Sequence, residues 1–97
     1  MTLTVIATWI ARDGEEEEVE RAIRQLVEPS RAEPGCIAYV PHRLRDDART
    51  FVLFEQYEDE AAYAAHTESE HFRRFALERG IPRLERRERL FAVRLDE

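Results

Sequence analysis

The sequence predicts an α+β domain of ferredoxin-like type: elements in the order β-α-β-β-α-β, a four-stranded antiparallel sheet, and helices on one face of it. Three observations carry this. Four runs rich in β-branched and aromatic residues have the length of strands. An amphipathic stretch headed by the glutamates 15–18 separates the first run from the second. Turn and capping residues divide the remainder into a hairpin, two short helices and a last strand. At 97 residues the chain reads as one domain, 1–97. Folding at that size buries only about 60 to 65% of the surface an unfolded chain exposes.

Leu3 to Ala11 alternates Leu3, Val5, Ala7 and Trp9 with Thr4, Ile6, Thr8 and Ile10, so both faces of this strand are mostly apolar. Asp13 and Glu16 have the spacing of a capping box, and the acidic run suits the positive end of a helix dipole. Val19, Ala22, Ile23, Leu26 and Val27 then form one helical stripe, which Pro29 is expected to end or kink. Pro34-Gly35 is a turn signal. Cys36 to Leu44 and Thr50 to Tyr57 follow as strands joined by the polar stretch RDDA. Asp59 can cap a short helix carrying Ala62, Tyr63 and His66, and Ser69 a second carrying Phe72, Phe75 and Ala76. Gly80 and Pro82 stop the second, and Glu88 to Leu95 alternates as the last strand, with Phe91, Val93 and Leu95 on one face.

Two helices cover one sheet face and leave the other open. Trp9, Tyr39, Phe51, Phe54 and Tyr57 are too many large rings to hide under two short helices, so the open face should pack on a second copy or enclose a ligand. A net charge of -6 repels phosphates and anionic lipid, which argues against nucleic acid and membrane partners. All 15 basic residues are arginine, which reflects coding composition better than anion recognition. The single cysteine, Cys36, cannot form an intrachain disulfide. The opening MTLTVIATWIA lacks a basic leader and is too short an apolar run for a signal peptide or span, so a cytoplasmic location is expected.

The blocks EPGCIAYVPH and TFVLFEQYEDEAAYAAHTESEHFRRF, with the opening LTVIA, resemble the antibiotic biosynthesis monooxygenase domain, including its quinol monooxygenase branch. The resemblance runs from about Thr4 to Val93. It implies a dimeric α/β barrel, in which two sheets face each other and the last strand helps hold the partner, with an apolar pocket between sheet and helices in each subunit. Family members oxidise polycyclic phenols, anthrones or quinols with molecular oxygen and neither metal nor flavin. Others degrade haem or process small signalling molecules, so fold alone underdetermines the chemistry. Haem-degrading relatives place an asparagine on the first strand and a tryptophan in the helix, where this chain has Ala7 and His66, so haem is not expected.

The resemblance makes His66 the leading catalytic candidate, a helical histidine able to orient or deprotonate a phenol; the alternative is that it only closes its helix. Tyr39 stands at the family's strand-two tyrosine and could donate its hydroxyl to a substrate oxygen, or be satisfied by backbone. Trp9, Phe54, Tyr63, His71 and Phe72 are candidates for the ligand wall, each with plain packing as its alternative. His42 lies on the opposite strand face from Tyr39 and reads as a surface residue. Glu55 is expected to pair with an arginine, and Cys36 to be packing.

No dinucleotide fingerprint, P-loop, H-x-x-x-H or C-x-x-C is present. His66 and His71 are five apart, which does not align them on one helix face. No metal and no cofactor are therefore expected. The leading function is a cofactor-independent monooxygenase of a reduced polycyclic aromatic or quinol-type substrate. The competing class is a non-catalytic dimeric binding module for a hydrophobic metabolite. In both, the partners are a second copy and a small aromatic or hydrophobic ligand.

Overall fold

Residues 1–97 are described by a computed structural model. Strands β1 (Leu3–Ala11), β2 (Cys36–Leu44), β3 (Asp47–Tyr57) and β4 (Leu84–Val93) form one antiparallel sheet in the order β2-β3-β1-β4. Helices α1 (Glu16–Arg31), α2 (Glu60–Thr67) and α3 (Phe72–Gly80) cover one face, and a single 3-10 turn, Ile81–Arg83, leads into β4. This is the ferredoxin-like arrangement. No helix is long and apolar enough to cross a membrane.

The β1 register separates the two sheet faces. Val5 pairs with Glu55 and Phe91, and Trp9 with Phe51 and Arg87, so these residues point to the helix side of the sheet; Ile6 pairs with Phe54 and Leu90, which lie on the open face. Trp9, Tyr39, Phe51 and Tyr57 are all buried on the helix side. The expectation that these rings exceed what the helices can cover therefore fails: four of them fit because small residues, Ala7, Ala11, Ala22 and Ala76, interleave with them. Only Phe54 lies on the open face. That face is nonetheless apolar, through Ile6, Ile10, Val40, Val52 and Leu90. The β4 edge is bare on both sides, with Leu90 66% exposed on one and Phe91 53% exposed on the other.

Several local signals resolve differently from expectation. Gly14 adopts a positive φ of 86° in the turn after β1, which delays α1 to Glu16 and leaves the Asp13 capping box unformed. The acidic first turn remains, as Glu16 to Glu18. Pro29 does not stop α1, which runs on through it to Arg31. Only one donor is lost in the last turns, and the carbonyl it would have served belongs to exposed Gln25, where water can serve it. The hairpin is tighter than RDDA implies, since Leu44 already pairs with Asp47. Strand β4 begins at Leu84, four residues early, because its ladder to β1 holds the charged run ERRER on a sheet edge, where charge is tolerated. Leu95, expected to share its face, lies beyond the strand.

Candidate active site

The site begins at the loop after α1. Arg31 donates from Nε to the Tyr39 carbonyl at 3.0 Å, tying the helix end to β2, and the Cys36 N–H donates to the Glu33 carbonyl at 3.1 Å. Gly35 brings this loop against α2, since a Cβ there would overlap the Cβ of Ala62. The Glu33 side chain is thereby carried toward the helices.

Asp59 caps α2 as expected, accepting from the Ala62 N–H at 2.9 Å. At the other end, Ser69 joins α2 to α3: its hydroxyl donates to the His66 carbonyl at 2.7 Å and accepts from the Phe72 N–H at 3.2 Å. α3 is wound as a π-helix over Phe72–Gly80, a wide form often found at functional sites. Its last residue, Gly80, packs on the Trp9 ring, where a Cβ would stand 2.8 Å from Cζ3.

The break between α2 and α3 brings both histidine rings onto one carboxylate oxygen. Oε2 of Glu33 lies 2.8 Å from Nδ1 of His66 and 2.5 Å from Nε2 of His71. The spacing argument against such a pairing holds within one helix, and the break expected at Ser69 puts His66 and His71 on either side of it. His66 is 1% exposed. Burial lowers its pKa, against the opposing pull of Glu33, so the ring is neutral near pH 7. With Nδ1 donating to Glu33, its Nε2 is an acceptor, 3.8 Å from Oε1 of Glu55.

Glu55 is the second buried carboxyl. It accepts from the Tyr57 hydroxyl at 2.6 Å and forms no ion pair with an arginine, contrary to expectation, because its position in β3 points it under the helices. Burial pushes its pKa up to about 7, although the Tyr57 hydrogen bond and the Arg87 charge pull the other way. Burial also raises the Tyr39 and Tyr57 phenols, reinforced by the Glu55 charge, so both stay protonated donors. The Cys36 thiol is raised to about 11 by burial and by Glu33 and Glu55, which makes it inert.

Aromatic rings enclose His66. Centroids of Phe72, Tyr57, Tyr39, His71 and Tyr63 lie 5.2, 5.3, 5.6, 6.0 and 6.3 Å from its own. Of the candidates read from sequence, His66, Tyr39, Tyr63, His71 and Phe72 are thus brought together. Phe54 is not: strand alternation turns it to the open face, away from His66. Trp9 shares the helix side but sits four residues along β1 from Val5, roughly 13 Å away at strand spacing. Its indole Nε1 is buried without a partner, as is Nε of Arg87 at the paired position on β4. Two orphan donors side by side could serve a ligand oxygen. His42 is exposed on the open side, as expected.

Glu33 and Glu55 were not singled out as site residues from sequence. Both stand inside the family blocks EPGC and FEQYE, the one signal that could have found them. An enclosed pocket at His66 is not found in the single chain. Its larger cleft, about 550 Å³, runs between α1 and β2 past Ile23, Val27, Arg31, Pro41 and Phe51. The smaller lies on the polar surface of α1. Tyr63, one of the rings around His66, meets the exposed Phe91 of β4 in an edge contact at 5.7 Å.

Residues 2–77 match the family model described as antibiotic biosynthesis monooxygenase. The chain is 39% identical over 59 residues to YcnE of Bacillus subtilis, provisionally named a monooxygenase, covering 61% of this chain and 62% of that one. It is 33% identical over 64 residues to an uncharacterised protein of Synechocystis, covering 66% of this chain and 44% of that one. The chain thus spans less than two thirds of the length of these curated relatives. The crystal structure of PA3566 from Pseudomonas aeruginosa superposes with a TM-score of 0.90 at 41% identity, covering 97% of this chain and 94% of that one.

Proposed function

The chain belongs to the antibiotic biosynthesis monooxygenase family, and from that premise we propose that it oxidises a reduced polycyclic aromatic or quinol-type substrate with molecular oxygen, without metal or flavin. The observation that carries this is the buried acid–base cluster: neutral His66 oriented by Glu33, with its free Nε2 facing a Glu55 poised near neutrality.

A base of this strength can take the proton of a phenol, whose own pKa lies near 10. Tyr39, kept protonated, is a donor toward the resulting phenolate, and in a dry site such a donor acts strongly. The phenolate gives one electron to oxygen; the substrate radical and superoxide join as a carbon-bound peroxide, which loses water to leave a carbonyl. One oxygen atom enters the product and the other leaves as water, so the substrate supplies every electron. Tyr63, His71 and Phe72 serve as the flat walls, and Trp9 with Arg87 offers donors to a distal oxygen.

The open sheet face and the bare β4 edge support a homodimer, in which each copy covers the other's apolar residues. A second reading, a non-catalytic dimeric module that binds a hydrophobic metabolite, is favoured by one observation: His66 is fully buried, and no cleft of the single chain reaches it. Oxygen uptake with a panel of anthrones and hydroquinones separates the two. Substrate-dependent consumption supports the oxygenase; saturable binding with none supports the module.

A further inference from the structure

Glu33 lies in the loop after α1, His66 at the end of α2 and His71 at the entry to α3, so three separate segments send a donor to one point. We propose that Glu33, His66 and His71 form a binding site for a divalent transition cation of the zinc class, with one carboxylate oxygen and two imidazole nitrogens as its protein donors. Nδ1 of His66, Nε2 of His71 and a Glu33 oxygen all lie within 4.8 Å of one another, two of the separations being 2.8 and 2.5 Å. A zinc ion held at about 2.0 to 2.2 Å from each would need those separations to open to roughly 3.4 Å. The two nitrogen–oxygen separations open by less than an ångström, and the two nitrogens, within 4.8 Å of each other, close by at most about 1.4 Å, within reach of side-chain rotation.

The donor set selects the ion. Two imidazoles disfavour calcium and magnesium, which take oxygen, and suit zinc and its neighbours in the transition series. A second, independent feature points the same way: Oε1 of Glu33 is buried with no hydrogen-bond partner, a spare lone pair beside the proposed ion. His71 is only partly buried, which leaves a way in for the ion.

The ion would compete with the hydrogen-bonded state rather than assist turnover. An ion on Nδ1 of His66 leaves the ring's proton on Nε2, which then donates instead of accepting. In the reading given above, on which this clause alone rests, the ion removes the acceptor facing Glu55 and inhibits.

Chelator-stripped protein titrated with zinc by calorimetry, and with cobalt by visible absorption, tests the site. The parent and His42→Gln, changed on the open face, should bind one ion per chain and give cobalt bands distinct from those of the hydrated ion. Glu33→Gln and His71→Gln should bind more than about 100-fold more weakly, since even indirect supporting residues cost 10- to 100-fold. Melting curves without metal establish that the variants fold; His71→Gln, at a partly exposed helix start, carries the comparison if Glu33→Gln does not. No cobalt band in the parent, or parent-like affinity in the folded variants, overturns the site. Zinc that binds stoichiometrically yet leaves turnover unchanged overturns only the inhibition, and with it the role of Nε2.

Discussion

Replacing His66 distinguishes a ring that does chemistry from one that merely fills space, but the replacement must be chosen with the burial in view. Alanine would empty a site enclosed by five rings and leave Glu33 short of a donor. By analogy with buried truncations and broken hydrogen bonds that costs about 2 to 4 kcal/mol, a large share of a small domain's stability. Asparagine is better matched. Its amide can donate to Glu33 from near the position of Nδ1 while presenting nothing at Nε2. The expected stability loss is then about 1 kcal/mol, or a fall in melting temperature of about 4 to 8 °C for a domain of this size. The expected rate loss is far greater, about 10² to 10⁴-fold, equivalent to roughly 3 to 5 kcal/mol of barrier. Oxygen uptake with the best substrate of the panel, divided by the folded fraction from a melting curve at the assay temperature, gives the decisive ratio. A ratio equal to the parent's refutes the catalytic assignment and turns attention to Glu55 and Tyr39.

Four further outcomes are expected. Because burial raises the Glu55 carboxyl from 4.5 to about 7, its contribution to stability is in place below pH 4.5 and lost as pH rises through 7, about 3 kcal/mol in all. Glu55→Gln should therefore flatten the pH dependence of denaturant unfolding between pH 5 and 8, and a slope like the parent's would count against a buried, raised carboxyl. The parent's turnover should in turn rise through pH 7 as that carboxyl loses its proton, and a rate already flat at pH 5 would remove Glu55 from the mechanism. Gly35→Ala should cost about 1 to 3 kcal/mol by forcing the Glu33 loop off α2, which a melting curve reads directly. Leu90→Arg, on the bare face of β4, should turn a dimer at micromolar concentration into a monomer by sedimentation; a parent that already sediments as a folded monomer refutes the dimer itself.

The fold was legible because its signals are local and repeated. Alternation in LTVIATWIA, the stripe from Val19 to Val27, and the caps at Asp59 and Ser69 each specify an element within a few residues. The failures were at ends and edges, where a neighbour decides. Gly14 postpones a helix its capping box would have started earlier. The run ERRER, polar on both sides, becomes strand only because β1 supplies a ladder for it. Nor could alternation alone say which face of the sheet holds the large rings, since β1 is apolar on both; α1 and α3 settle it by covering the side of Trp9 and Phe51.

The site was legible one residue at a time and not as a constellation. Tyr39, Tyr63, His66, His71 and Phe72 were each visible within a family block, yet what relates them is Glu33, which contacts His66 across 33 positions and His71 across 38. Spacing rules describe neighbours on one helix, and here the helix is interrupted by the turn at Ser69. That interruption lets two rings five residues apart share one oxygen. It also fixes the tautomer of His66, because an acceptor at Nδ1 leaves Nε2 free to accept. Glu55 was misread for a related reason: a glutamate in an arginine-rich chain suggests an ion pair, but strand parity places this one among Tyr57, His66 and Val5, where burial rather than a cation sets its proton affinity. The same parity sends Phe54 the other way, so one step along β3 divides a residue of the site from a residue of the open face.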